Sequence, residues 1–154
     1  KITDYESFAF GTVWNPHKGH GMRSTIRYRY DASTELRNKL FNFDYRFARG
    51  NEEEIDLSGV YSFNNSFSVI GKHNYSFSND RSNIENVPDT MFGIEYNSCC
   101  YALKLVSRKY WTGTENDDVF YFEFLPKGLT TSNNEVSNVL KTGIPGYRDR
   151  VNYD

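Results

Sequence analysis

Apolar and polar side chains alternate along the chain with a period of two residues, from its start to about Leu125. This is the pattern of β-strands whose two faces meet different surroundings. In the clearest segment, Ile26, Tyr28 and Tyr30 alternate with threonine and arginine residues. The pattern predicts eight strands, at residues 5–14, 22–30, 36–47, 55–63, 67–77, 90–96, 101–111 and 119–125.

The connections between these predicted strands alternate in length. The segments "NPHKGHG", "RGNEEE", "NDRSNIENVPD" and "TGTENDD" are longer and polar, whereas "DASTE", "NNS" and "NSCC" are short. Long loops at one end of an antiparallel up-and-down meander and short turns at the other are typical of outer-membrane barrels, whose short turns face the periplasm. We therefore predict an all-β fold of about eight strands in an outer-membrane β-barrel, with the rings facing lipid.

The alternation ends after Pro126. Ser132 and Glu135 match a capping box, apolar residues follow at helical spacing, and "TGIPG" carries the glycine and proline that end helices. The sequence predicts one short helix near residues 133–142, within an otherwise irregular tail.

A soluble β-barrel or sandwich with its rings inside would show the same alternation and is the alternative fold. Aromatic residues make up 17% of the 154 residues, including 12 tyrosines. A small sandwich would have difficulty packing so many rings, because each buried tyrosine hydroxyl needs a polar partner. The composition therefore favours rings on a lipid-facing surface.

Two other classes receive no support from the sequence. No apolar run approaches the roughly 20 residues of a transmembrane helix. The formal net charge of −2 gives no general case for nucleic-acid binding, which usually shows as a strongly basic face.

Charged residues cluster on the predicted face that lacks rings. A wall of cations could guide anionic, phosphate-bearing cargo through water, or the charges could form an internal salt-bridge network. Basic residues outnumber the acidic ones there, and the predicted wall comprises the cations Arg23, Arg27, Arg29, Arg46, Lys72, Lys104 and Arg108 with the acids Asp44, Asp56, Glu95 and Glu123.

The sequence offers no catalytic or metal site. His17 and His20 are two imidazoles in a glycine-flanked loop without a nearby cysteine, which is an incomplete zinc site. His73 falls on the ring-bearing face of its strand, and no nucleophile elbow, catalytic carboxylate pair or phosphate loop occurs. We predict a protein that is not an enzyme and holds no cofactor, while an outer-membrane hydrolase has no residues to support it.

The two cysteines of the chain, Cys99 and Cys100, are adjacent. Neighbouring Cα atoms lie about 3.8 Å apart, whereas a relaxed disulfide needs roughly 4.4–6.8 Å. A protein that folds through the oxidising periplasm is expected to pair its thiols. Their partners would then lie on another segment or another chain.

The region around these cysteines resembles a known family. The segment "FGIEYNSCCYALKLVSRKYW", a short polar loop, "VFYFEFLPKGL" and a tail with "GIPGY" are similar to the C-terminal end of the LPS-assembly proteins LptD, also called OstA, of Gram-negative outer membranes. The "Y-x-S-C-C-[aromatic]-A" motif is specific to that family. The resemblance is strong over residues 92–129, and the upstream strands agree as generic barrel sequence.

The resemblance implies a very large barrel with an N-terminal periplasmic jellyroll domain, plugged by the lipoprotein LptE. It would receive lipopolysaccharide from a periplasmic bridge protein and insert it into the outer leaflet through a seam between the first and last strands. Cys99 and Cys100 would form long-range disulfides to the N-terminal domain. The last strand, one lip of the seam, would consist of Val119, Phe120, Tyr121, Phe122, Glu123, Phe124 and Leu125.

The jellyroll and the first strands of that family are not in this sequence. We therefore expect residues 1–129 to be the C-terminal segment of a larger barrel and residues 130–154 its tail, located in the cell outer membrane. A self-contained eight-stranded outer-membrane barrel, serving as an adhesin or structural anchor, is the alternative.

Overall fold

The computed structural model describes residues 4–17, 20–49, 52–78, 89–112, 116–127 and 135–149. Eight strands are followed by one helix, α1, at Glu135–Gly143. The strands are β1 (Glu6–Asn15), β2 (His20–Asp31), β3 (Lys39–Ala48), β4 (Glu52–Ser62), β5 (Phe67–Ser78), β6 (Asp89–Asn97), β7 (Tyr101–Trp111) and β8 (Asn116–Pro126).

Each strand pairs antiparallel with the next, so the sheet order runs from β1 to β8. This confirms the predicted antiparallel meander of eight strands with one short helix. The prediction works because a period of two assigns each side chain to one face of a sheet. Among the described residues no ladder joins β1 to β8, which are therefore the two edges of an open sheet.

The third strand begins later than the alternation predicts, at Lys39 rather than Leu36. Residues 32–38 form a turn in which Ala32 N–H donates to the Lys39 carbonyl over 2.9 Å and Thr34 N–H to the Arg37 carbonyl over 2.8 Å. Leu36 is exposed in this turn. Its apolar character is compatible with the strand period, but the turn hydrogen bonds decide the boundary.

The predicted alternation of long and short connections is wrong. At the end of the sheet predicted to carry long loops, the strand bounds leave residues 16–19, 49–51, 79–88 and 112–115, and at the other end residues 32–38, 63–66 and 98–100. Only 79–88 is long among the first group, because charged and polar residues such as Glu52 continue the ladder. Loop length therefore does not identify the periplasmic end.

One face of the sheet, named here the helix face, packs against the chain that follows β8. We call residues 135–149 the C-terminal segment. Val136 and Leu140 of α1 and Ile144 and Tyr147 beyond it are buried in an apolar cluster. Their partners on β3 to β7 are Leu40, Val60, Ile70, Met91 and Val106.

The helix α1 spans Glu135–Gly143, close to the predicted range of 133–142. Ser132 of the predicted capping box lies outside the described residues. Among the described residues no helix is long and apolar enough to cross a membrane. What the alternation did not indicate is that the helix covers an apolar patch on the otherwise polar face of the sheet.

The opposite face, named here the ring face, carries most of the large rings. Phe120 is 82% exposed and Phe122 is 66% exposed, although both are large and apolar. An exposed apolar surface of this extent marks a surface that binds a protein partner or a membrane. Other exposed members of the ring face are Phe8, Phe10, Phe41, Leu57, Tyr61, Phe63, Phe67, Phe77, Phe92, Ile94, Leu105 and Phe124.

Candidate functional site

The strand register places all seven predicted wall cations on the helix face. Arg27 lies opposite Asp44, and Arg46 opposite Glu54, so each pair meets across neighbouring strands. Arg23 lies opposite Val13 and is exposed. The ion-pair distances are Arg27–Asp44 3.2 Å, Arg29–Asp31 2.9 Å, Arg46–Glu54 3.5 Å, Lys72–Asp89 3.0 Å, Arg108–Asp89 2.9 Å and Lys104–Glu123 3.1 Å.

These pairs show that most cations of the predicted wall are already bonded to carboxylates. Asp89 alone accepts hydrogen bonds from Lys72 Nζ at 3.0 Å and from Arg108 Nε at 2.9 Å. A cation already bonded to a carboxylate offers less to a passing anion than a free one does. The geometry therefore favours an internal salt-bridge network over a wall of cations that guides anionic cargo.

Three of the pairing carboxylates lie just outside the strands predicted from sequence. Asp31 follows the predicted second strand, Glu54 precedes the fourth and Asp89 precedes the sixth, whereas all three belong to the observed strands. Extending each predicted strand by one residue would have put them on the charged face. Asp149 carries no such signal, because it lies in the irregular tail.

The centre of the site is the buried ammonium group of Lys104. Lys104 is fully buried, as is Glu95, and Glu123 is 9% exposed. The register aligns Glu95, Lys104 and Glu123 as one row across β6, β7 and β8. Since ions are rarely buried unless they are paired, this row needs balancing groups from within the protein.

The C-terminal segment supplies part of that balance. Lys104 Nζ lies 3.1 Å from Glu123 Oε2 on β8 and 3.1 Å from Asp149 Oδ1, and it also donates to Ser137 Oγ on α1. Ser137 Oγ donates in turn to Glu123 Oε2 over 3.3 Å. One lysine thus joins β7, β8, α1 and the chain beyond α1.

Further hydrogen bonds hold the rest of the C-terminal segment on the helix face. Tyr147 donates through its hydroxyl to Glu95 Oε2 over 3.2 Å. Asn38 Nδ2 donates to the Arg148 carbonyl over 2.8 Å, and Asn42 Nδ2 to the Pro145 carbonyl over 3.0 Å. The segment is therefore anchored on both sides, near β3 and near β6 to β8.

The turn in "GIPGY" depends on Gly146. Its φ of +89° lies in the left-handed region, and a Cβ placed there would collide with the guanidinium group of Arg29. Glycine is the residue that adopts such a φ without steric cost. The turn lets Ile144 and Tyr147 reach the buried cluster on either side of it.

Replacing Gly146 with alanine is expected to cost about 1–3 kcal/mol of local stability, because a non-glycine residue is held at positive φ. Replacing Arg29 with alanine as well should recover part of this loss by removing the collision. Gly71→Ala is the matched control, since a Cβ there meets nothing within 4 Å. The amide exchange rates of the C-terminal segment would be measured in the three variants. Equal rates in all of them would contradict the role of the turn.

The adjacent cysteines lie in the turn between β6 and β7. Both thiols are free and exposed, and their Sγ atoms are 2.8 Å apart, compared with about 2.05 Å in a disulfide. Asn97 N–H donates to the Ser66 carbonyl over 2.7 Å and Lys127 N–H to the Cys100 carbonyl over 2.8 Å. The cysteine turn is thus tied to the β4–β5 turn and to the end of β8.

The two thiols influence each other's ionisation. The hydrogen bond from the Cys100 thiol lowers the pKa of Cys99, and the Ser98 hydroxyl adds to this effect. The same bond, together with the negative charge on Cys99, raises the pKa of Cys100. Because the thiolate is the reactive form of cysteine, the turn presents one activated thiol and one that supports it.

In protein reduced beforehand, we expect Cys99 to be alkylated faster than Cys100 near neutral pH, because a lowered pKa leaves more thiolate at a given pH. Cys100→Ala should slow alkylation of Cys99 by removing the donor, and Cys99→Ala should speed that of Cys100. Mass spectrometry of the peptide over a range of pH values would locate the label. Identical rates for both thiols at every pH would refute this.

The strand predicted to be last, 119–125, lies within β8 and at one edge of the described sheet. Phe120, Phe122 and Phe124 point to the ring face and are exposed. The alternate residues Val119, Tyr121, Glu123 and Leu125 belong to the helix face, where Tyr121 packs on the apolar cluster and Leu125 on Ala102. The two faces of this edge strand therefore meet quite different surroundings.

No cluster of three or more metal-ligating side chains occurs in the part of the chain that the structure describes. His17 N–H donates to Asn15 Oδ1 over 3.0 Å in the turn after β1. His73 Nδ1 lies 2.9 Å from Thr90 Oγ1 on the ring face, where the alternation places it.

Comparison with known proteins finds no matching protein-family model. The chain is similar to proteins named LPS-assembly protein LptD. It is 31% identical over 147 residues to that of Saccharophagus degradans, covering 82% of the chain and 16% of the relative. It is 33% identical over 110 residues to that of Nitrosococcus oceani, covering 70% and 14%.

A third relative, the LPS-assembly protein LptD of Xanthomonas campestris pv. campestris, is 28% identical over 154 residues and covers 95% of the chain. The similarity thus extends well beyond the cysteine motif, into the strands upstream. The chain spans less than a fifth of the length of these curated relatives.

Proposed function

The chain belongs to the LptD family of LPS-assembly proteins, and from that premise we propose that it forms the C-terminal part of the barrel through which lipopolysaccharide is inserted into the outer membrane. The observation that carries the proposal is the similarity to LptD proteins over 70–95% of the chain. The eight-stranded antiparallel sheet agrees with a segment of barrel wall.

In this proposal the ring face contacts the lipid of the outer membrane. Moving its exposed rings out of water into lipid would lower the free energy. A closed barrel would also give hydrogen-bond partners to the backbone groups at the open edges of β1 and β8. The helix face would then look into the barrel, where paired charges and the C-terminal segment are compatible with water. Residues 1–129 form the wall in this arrangement and residues 130–154 the tail.

The edge strand β8 is proposed to be one lip of the seam through which lipopolysaccharide leaves. Support comes from its position at one edge of the described sheet. A seam between two edge strands can open without breaking the ladders elsewhere in a sheet, so an edge is the natural place for lateral exit.

The partners follow from the same proposal. They are the lipoprotein LptE as a plug, a periplasmic bridge protein that delivers lipopolysaccharide to the N-terminal domain, lipopolysaccharide itself and outer-membrane lipid. Cys99 and Cys100 are proposed to form disulfides with the N-terminal domain, which places their turn at the periplasmic end. Their exposure at the sheet's end is compatible with this. The role is transport and assembly without enzymatic chemistry.

An engineered disulfide between Phe122→Cys in β8 and a cysteine in the first strand of the complete protein tests the seam. We expect it to block lipopolysaccharide export in cells and reduction to restore export. The matched control joins Ser107→Cys to Phe120→Cys, which lie opposite each other on β7 and β8. That crosslink leaves the seam free, so export should continue. Normal export through a verified seam crosslink would refute the proposed role.

The alternative, a self-contained eight-stranded barrel with an adhesive or structural role, makes a different prediction for the cysteines. Non-reducing electrophoresis of the complete protein would separate the two. Disulfides from Cys99 and Cys100 to a distant N-terminal segment support the assembly protein. Two free thiols in protein isolated from the outer membrane support the alternative.

A further inference from the structure

The C-terminal segment crosses the helix face from β3 to β8. At one side, Asn42 donates to the Pro145 carbonyl, and at the other Ser137 and Asp149 meet Lys104 beside β8. Between these points, Leu140 and Ile144 are fully buried against the sheet. The nine-residue helix and the turn after it thus lie across several strands, each of which pairs in the described sheet with the strands next to it in the chain.

The edge strand β8 is held from one direction by β7 and from another by this segment. On the ring face its rings are largely exposed. On the helix face Glu123 accepts from Ser137 of α1 and pairs with Lys104, while Tyr121 packs on the apolar cluster that includes α1. Beyond the ladder and the side-chain contacts that it makes with β7, β8 is held on this face by its contacts with the segment.

Lys104 couples the contacts of the C-terminal segment to those of β8. It is fully buried and shares its charge between Glu123 on β8 and Asp149 in the segment. Removing one partner of a buried ion pair leaves a charge without compensation, which is strongly unfavourable. If the segment lifts, Lys104 loses Asp149 and Glu123 on β8 loses Ser137, so the attachment of β8 on this face weakens at the same time.

We infer that the C-terminal segment is a strap that holds edge strand β8 in place, with Lys104 as its fastening point, so that the segment and β8 open together. The inference rests on the proposed function only for its consequence: if β8 is the lip of the seam, the strap limits how far that lip can move. Lys104 acts here as a positioning residue and touches no cargo.

Hydrogen exchange of the complete protein in detergent micelles tests the strap with Asp149→Asn. The variant keeps the shape of the side chain and removes its charge. We expect the amides of α1 and those of β8 at 120–125 to exchange faster by the same factor, tenfold or more. Arg148→Gln is the matched control, because Arg148 is an exposed neighbour whose ion pair to Asp31 is 3.9 Å long. It should change exchange less than threefold at β8.

A milder variant, Ser137→Ala, keeps the test decisive if Asp149→Asn does not assemble. It should raise exchange in α1 and β8 by equal, smaller factors. Faster exchange in α1 with unchanged exchange of the β8 amides, in either variant, would refute the inference. The segment would then pack on the sheet without stabilising β8. Exchange does not depend on transport. If lipopolysaccharide export continues although the seam crosslink has formed, the proposed function is refuted, whereas the exchange result still stands.

Discussion

Replacing Lys104 with methionine is expected to lower the free energy needed to open the C-terminal segment by about 3–5 kcal/mol, the cost of removing one partner from a buried ion pair. Methionine fills a similar volume, so the loss arises from charge rather than from a cavity. Glu123, Asp149 and Ser137 would all lose the ammonium group that they bind. The opening free energy can be obtained from hydrogen exchange of the α1 amides.

Lys109→Met is the control on the same strand. Lys109 pairs with Asp118 at 3.3 Å, but the two side chains are 66% and 52% exposed. Exposed pairs contribute about 0–1 kcal/mol, so this variant should behave almost like the wild type. If the two methionine variants lose equal stability, Lys104 does not have the role that its burial indicates. A triple variant that replaces Lys104, Glu123 and Asp149 by apolar residues should recover part of the loss, since the two carboxylates that pair with Lys104 are then removed together with it.

Replacing Leu140 with alanine is expected to cost about 2–5 kcal/mol, the range for removing a large buried side chain and leaving a cavity. Leu140 is fully buried at the centre of the cluster, between α1 and the sheet. A short helix has little stability by itself, and packing of its apolar face supplies most of it. The C-terminal segment should therefore become sensitive to added protease in the complete protein, while the rest of the sheet resists.

Lys141→Ala tests whether this sensitivity comes from packing. Lys141 is the next residue in α1 and is exposed, so its substitution should change stability by less than about 0.5 kcal/mol. Cleavage of the segment at equal rates in both variants would show that Leu140 contributes no more than a surface residue. Cleavage that appears in the Leu140 variant alone locates the attachment in the apolar cluster.

Much of the sheet could be predicted because its information is local. Phe41, Phe43 and Phe47 share a face through a period of two, whatever the strands on either side do. Boundaries were less certain where two local signals compete: Leu36 follows the period but lies in a hydrogen-bonded turn. The predicted loop pattern failed for a related reason, since polar residues such as Glu52 and Asp89 continue the ladders.

The candidate site was only half visible in the sequence. The row of Glu95, Lys104 and Glu123 follows from strand parity together with the meander order. The pairing of Lys104 with Asp149 joins residues 45 apart in the chain, and the tail has no period to indicate which face it covers. Nor does the spacing of Gly146 show that a guanidinium group from β2 lies against it.

By itself, the sequence determined the strands, their order and the face on which each side chain lies, because period two is a property of the extended backbone. It also contained the cysteine motif that resembles LptD proteins, the family that similarity over most of the chain shows. Only the tertiary structure decided that residues 135–149 lie across the polar face, that they bury Lys104 and that most of the predicted wall cations are paired. Those outcomes depend on which distant groups can exclude water together, and burial of that kind has no signature within any single segment.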